Sequence, residues 1–104
     1  MLRGEIWWAK LPPPVGRRPV LLLSRNEAYA VRNAVTVAEV TTTKRGIPVE
    51  VPLNQEDGMP KPCVINLDTL ATIRKDLLET RITIISDERM ALVNKAIKFA
   101  LAVP

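Results

Sequence analysis

Ala34-Val35-Thr36-Val37-Ala38-Glu39-Val40-Thr41-Thr42 alternates β-branched with small or polar side chains, the period-two pattern of a pleated strand with unlike faces. Lys44-Arg45-Gly46 reads as a turn and Ile47 to Leu53 as a second extended run, so the two runs are expected to pair as a hairpin. Upstream, Glu5 to Lys10 reads as a strand stopped by Pro12-Pro13-Pro14. Pro19 to Ser24 carries Val20-Leu21-Leu22-Leu23 without alternation, as in a strand covered on both faces. Downstream, Asn54 to Pro62 is a polar loop punctuated by Gly58, Pro60 and Pro62; Cys63 to Ile73 and Arg81 to Ile85 are further β-rich stretches.

The end of the chain changes period. Ser86 is a good N-cap, Asp87 and Glu88 suit a first helical turn, and Met90, Val93, Ala96, Ile97, Ala100 and Leu101 recur at helical spacing. Short strands with one packing helix predict a single mainly β domain over residues 1–104, a small, strongly bent antiparallel sheet or barrel of SH3-like size with a C-terminal helix. No repeat, low-complexity tract or linker interrupts it.

The chain has 104 residues, 47% of them apolar, the composition of an ordinary folded domain. At this size dimerisation would add useful burial. Cys63 is the only cysteine and cannot form an internal disulfide, which points to a reducing compartment. The opening stretch lacks a signal-like apolar core and no run is long and apolar enough to span a membrane; a cytoplasmic protein without membrane association is expected. The net charge of +4 is uneven. Residues 1–45 hold eight Arg or Lys against Glu5, Glu27 and Glu39, whereas residues 46–104 hold seven against eight acids. A positive field confined to one half of the chain suits binding to a phosphate backbone.

The sequence contains no histidine. That removes the usual proton carrier and commonest catalytic metal ligand, and with them Ser-His-Asp, Cys-His and ordinary zinc designs. Glu56-Asp57 and Asp87-Glu88 read as loop and helix-capping acids rather than cation ligands, and no phosphate-cradling glycine motif is present. No metal or cofactor is expected. Arg, Thr, Ser, Asn and acids remain, and they suffice for RNA cleavage, because the substrate brings its own 2′-OH nucleophile. An arginine can hold the phosphoryl oxygens bidentately and a threonine hydroxyl can bridge phosphate or ribose.

Arg17-Arg18-Pro19-Val20-Leu21-Leu22-Leu23-Ser24-Arg25-Asn26, followed by Thr36-Val37-Ala38-Glu39-Val40-Thr41-Thr42-Thr43, resembles the MazF/PemK family of toxin endoribonucleases. The likeness begins at Arg3-Gly4-Glu5-Ile6-Trp7-Trp8 and continues through Asp68-Thr69-Leu70-Ala71-Thr72-Ile73 into the C-terminal helix. It implies a barrel of the CcdB/MazF type, usually a homodimer. It also implies metal-independent, sequence-selective cleavage of single-stranded RNA to 2′,3′-cyclic phosphate and 5′-OH ends. The expected partner is a MazE-like antitoxin whose acidic tail occupies the RNA groove. By the same resemblance Arg18 and Thr41 are the catalytic pair, Ser24 and Asn26 fall where RNA contacts are expected, and Asp68 and Thr69 lie where the family reads a base; Arg17, Thr42 and Lys44, beside the first set in the basic half of the chain, are further candidate RNA contacts.

The sequence departs from the family at Pro12-Pro13-Pro14-Val15-Gly16, where relatives carry a longer loop with a Gly-Ser-acid element, and at Thr69, where many carry glutamine. Without the resemblance, Arg18 reads as a surface arginine paired with Glu39, Lys44 and Arg45 as a solvated turn, and Cys63 as a small buried hydrophobe. Glu39, on the strand face of Thr41, is also a candidate base. The alternative function is that of a non-catalytic CcdB-like toxin inhibiting a DNA topoisomerase, or of an inactive relative that only binds RNA or antitoxin.

Overall fold

The computed structural model describes residues Met1–Pro104. Six strands, β1 (Glu5–Lys10), β2 (Arg17–Leu22), β3 (Ala34–Thr41), β4 (Glu50–Leu53), β5 (Cys63–Arg74) and β6 (Leu78–Ile84), form one antiparallel sheet in the order β4-β5-β3-β2-β1-β6. A short helix α1 (Ala28–Val31) links β2 to β3, and helix α2 (Asp87–Leu101) closes the chain. The sheet is curled rather than closed, since β4 and β6 are not hydrogen-bonded to each other. The segment after β4 reaches towards the far side: Asp57 accepts from Thr83 Oγ1 through its backbone oxygen and from Arg89 Nε through Oδ1, both at 3.1 Å.

The expected hairpin between the third and fourth extended runs does not form. β5 lies between β3 and β4 and pairs with both, from Thr41↔Val64 to Ala34↔Arg74 on one side and from Leu53↔Cys63 to Glu50↔Asn66 on the other. The linker explains why. A tight hairpin needs about two to five loop residues, whereas Thr42 to Val49 run outside any strand. Pro48 has no N–H to offer a ladder. Glu50 shapes the wide turn by accepting from the backbone N–H of Arg45 (3.1 Å) and Gly46 (2.8 Å), with Gly46 at φ +70°. The chain thereby crosses two strand spacings, roughly 10 Å, and leaves room for β5. The last strand begins earlier than the sequence suggests, at Leu78, because that side chain is buried opposite Ala9 of β1.

β2 is covered on both faces, as its unalternated apolar run requires. Val20 and Leu22 join Tyr29, Val35, Val37 and Ile73 on one side, while Leu21 joins Ile6, Val40, Ile65, Leu67 and Val93 of α2 on the other. α2 supplies the cover for the second cluster through Val93 and Ala96. Ser86 caps it by accepting from the Arg89 N–H at 3.2 Å, with Asp87 and Glu88 in the first turn. No helix is long and apolar enough to cross a membrane.

Candidate nucleic-acid interface

One face of β2 and β3 changes character along its length. Val20 and Leu22 on β2, with Val35 and Val37 on β3, are buried, but the next positions on that face are Arg18, Glu39 and Thr41. The apolar stripe therefore ends in a polar group where the strands reach solvent. The register Leu22↔Val37, Leu21↔Ala38, Val20↔Glu39 carried two residues further sets Arg18 opposite Thr41, the spacing at which cross-strand side chains interact. Arg18 Nη1 donates to Glu39 Oε1 at 2.8 Å, with the two side chains 35% and 15% exposed. The surface pairing of Arg18 with Glu39 expected from the residues alone thus exists. It commits a single N–H of the guanidinium and leaves the other donors for a ligand. Thr41 Oγ1 accepts from the Thr43 N–H at 3.2 Å, which orients the oxygen and leaves its proton available to donate.

Arg18 and Thr41 form the wall between two adjoining recesses. The first, about 310 Å³, is lined also by Trp8, Arg17, Thr42 and Lys61, with Met59 and Cys63 deeper. It contains three cations and no carboxylate. Arg17 lies over the Trp8 ring, 4.2 Å from its centroid, and is steadied by Glu79 at 2.9 Å. Trp7, on the opposite face, packs on the Val20–Leu22 side of the sheet. The second recess, about 260 Å³, is entirely polar: Glu39, Thr43, Arg45, Asn66 and Thr69 line it beside Arg18 and Thr41. The bend that opens it is a bulge in β5. Ala38 pairs with Leu70 but the next residue, Glu39, pairs with Asn66, so Leu67, Asp68 and Thr69 bow out of the ladder.

Of the residues singled out in the sequence, the structure gathers Arg17, Arg18, Thr41, Thr42 and Thr69 around this double recess. Lys44 borders a neighbouring depression beside Thr42, Asn54 and Arg89. Asp68 is exposed on the bulge and its side chain lines neither recess. Ser24 and Asn26 lie beyond the other end of β2 and hold backbone: Ser24 Oγ accepts from the Thr36 N–H at 2.8 Å and Asn26 Oδ1 from the Arg3 N–H at 2.7 Å. Lys61 and Asn66 escaped sequence reading. Lys61 sits among prolines in a polar loop, and the only signal from Asn66 is a polar residue inside the apolar run Cys63–Leu67.

Burial pushes the Cys63 thiol up, reinforced by the Asp57 charge, so it stays protonated and contributes packing rather than a nucleophile. No three Cys, Asp or Glu side chains come together as a metal site.

Residues 2–101 match the family model described as PemK-like, MazF-like toxin of type II toxin-antitoxin system. The chain is 36% identical over 100 residues to "Probable endoribonuclease MazF5" of Mycobacterium tuberculosis, covering 95% of this chain and 91% of that protein. It is 32% identical to "Endoribonuclease EndoA" of Bacillus subtilis, covering 96% and 93%. The solved structure of "Mycobacterium tuberculosis toxin MazF-mt6" superposes with a TM-score of 0.89 at 32% identity, covering 96% and 98% of the two chains. A mycobacterial endoribonuclease in complex with its cognate antitoxin superposes at 0.88 with 28% identity, covering 100% and 97%. The chain belongs to the PemK-like, MazF-like toxins of type II toxin–antitoxin systems.

Proposed function

We propose that this toxin is an endoribonuclease that cleaves single-stranded RNA at selected sequences without a metal ion, leaving 2′,3′-cyclic phosphate and 5′-OH ends. The observation that carries the reading is the placement of Arg18 opposite Thr41 on the wall shared by two recesses, with Glu39 holding the guanidinium at 2.8 Å. The scissile phosphate sits against that wall. The free N–H groups of Arg18 stabilise the charge that builds on the phosphoryl oxygens as the 2′-OH attacks, and Thr41 donates to one of them. Glu39 is the only carboxylate lining either recess and takes the 2′-OH proton. The leaving 5′-oxygen departs on the cationic side, towards Arg17 and Lys61, takes a proton from water to become the 5′-OH, and Glu39 returns its proton to solvent. The Arg18–Glu39 pair opposite Thr41 supplies a charge stabiliser, a base and a hydroxyl donor at one point, which favours catalysis over a purely binding toxin.

The short turn Leu11–Gly16, closed by the Leu11 N–H on the Gly16 oxygen at 3.1 Å, leaves the Trp8–Arg17 recess open to a strand of RNA. The same acid-free cationic surface suits the acidic tail of a cognate antitoxin, which would inhibit by occupying it, and the toxin would act as a homodimer. Incubation with a mixed-sequence RNA in EDTA tests the reading. Discrete fragments are expected from the wild type. Arg18→Ala is expected to slow their formation by about 10²–10³-fold, the usual cost of losing one preorganised oxyanion donor. Intact RNA with folded wild-type protein would overturn it.

A further inference from the structure

Asn66 occupies a position that invites a role in base selection. It is the residue of β5 at which the bulge begins, paired with Glu39 of β3 and Glu50 of β4. Its side chain lines the polar recess together with Glu39 and Thr69. The amide is not free to turn over: Oδ1 accepts from the Asp68 backbone N–H at 2.9 Å. With the oxygen committed to holding the bulge, the group that Asn66 offers to a ligand is the Nδ2 amino group, which can only donate. Thr69, at the other end of the same bulge, contributes a hydroxyl able to donate or accept.

We infer that Asn66 is a specificity-determining residue that donates from Nδ2 to the exocyclic oxygen at pyrimidine C4 or purine C6 of the nucleotide on the 5′ side of the scissile bond, selecting uracil or guanine over adenine and cytosine. The inference rests on the nuclease reading above, because it takes its polarity from Glu39. The 2′-OH that loses its proton belongs to the 5′-side nucleotide, and Glu39 lines the recess that Asn66 lines and not the cationic one. The selectivity follows from the Watson–Crick edge. Uracil O4 and guanine O6 accept from Nδ2, and the Thr69 hydroxyl pairs with the adjoining ring nitrogen whichever way that nitrogen is polarised. Adenine and cytosine carry an amino group at that same position, so Nδ2 would face another donor and go unsatisfied. A base-edge contact of this kind, made by an amide held in one orientation, discriminates by roughly tenfold.

The test is Asn66→Asp, which keeps an oxygen to accept from Asp68 and so keeps the bulge, but replaces the donor with an acceptor. Wild-type and N66D proteins are incubated with an RNA pool randomised in sequence, and the 3′ ends of the fragments are sequenced. Reading preferences within each pool removes any effect of the new charge on overall rate. Wild-type protein is expected to favour uracil or guanine at the 5′-side nucleotide by about tenfold. N66D is expected to move that preference towards cytosine or adenine, leaving preferences at other positions unchanged. If wild-type protein cleaves and N66D shows the same base preference at that nucleotide, or shifts preference only on the 3′ side, the assignment of Asn66 is overturned while the nuclease reading stands. If wild-type protein cleaves none of the pool, both are overturned.

Discussion

Glu5 is the only charged residue among the buried side chains, and its partners show how a carboxylate is kept there. Burial works against its charge. Hydrogen bonds from Trp7 Nε1 and the Leu2 N–H, both 3.0 Å, with the terminal amine and Arg81 nearby, outweigh that and hold its pKa below the usual value of 4.5. A depressed carboxyl stabilises the fold fully above its unfolded-state pKa, and that contribution is lost as pH falls through the folded-state value. Denaturant titrations should therefore show unfolding free energy falling as pH drops below about 4.5. Glu5→Gln should lower stability by about 2 kcal/mol at neutral pH and flatten that acid dependence. At the same scale, Thr41→Val keeps the strand-forming shape while deleting the hydroxyl, and should reduce RNA cleavage at least tenfold in initial-rate assays with little change in melting temperature. How legible such residues were depended on local context. Arg18 and Thr41 stand in recognisable stretches of the chain, and the Arg18–Glu39 pair was readable as a possibility. Asn66 was not, because its approach to Thr69 depends on a bulge, and a bulge is a fact about the partner strand's register.

The Asn54–Pro62 segment links elements that are far apart in the sheet order, and Gly58 is its tightest point. Gly58 has φ +92°, and a Cβ there would come 2.4 Å from Thr83 Oγ1, the hydroxyl that donates to the Asp57 oxygen. Thr83 is β-branched and on a strand, so it cannot swing clear cheaply. Gly58→Ala should cost about 2–3 kcal/mol in denaturant unfolding, from the left-handed backbone and the lost hydrogen bond together. Adding Thr83→Ala should recover part of that loss, since the 2.4 Å contact with Oγ1 is removed while the Thr83 Cβ stays 2.8 Å away; strict additivity would contradict the contact. Because Met59, Pro60 and Lys61 follow directly and line the cationic recess, Arg89→Ala, which frees Asp57, should weaken RNA binding more than its distance from Arg18 suggests. At this scale the strand segments and the capped C-terminal helix were legible from period and punctuation. The pairing was not: alternation identifies a strand but carries no partner label, and the eight residues Thr42 to Val49 gave no sign that another strand would be threaded between.

At the scale of the whole molecule, the sheet has two edges, β4 and β6, and Ile84, Leu92, Phe99 and Leu101 are exposed apolar side chains, Phe99 at 64%. A small domain with such surface gains by self-association. The 11.6 kDa chain is expected to run at twice that mass in light scattering, with a melting temperature that falls on dilution; a monomer at micromolar concentration would contradict this. The general class, a small bent β domain with a closing helix, was readable from the order of periods, whereas which surfaces stay uncovered needed the folded chain. The claim that joins fold to function is that the RNA attacks itself. It is tested most directly with a short RNA carrying one preferred cleavage site, made either with ribose throughout or with a single 2′-deoxy nucleotide on the 5′ side of the bond, both assayed in EDTA. The all-ribose strand should be cut to a 2′,3′-cyclic phosphate and the deoxy strand should be bound yet remain intact; cleavage of the deoxy strand would show that water, not the 2′-OH, is the nucleophile and would contradict the roles given to Arg18, Thr41 and Glu39.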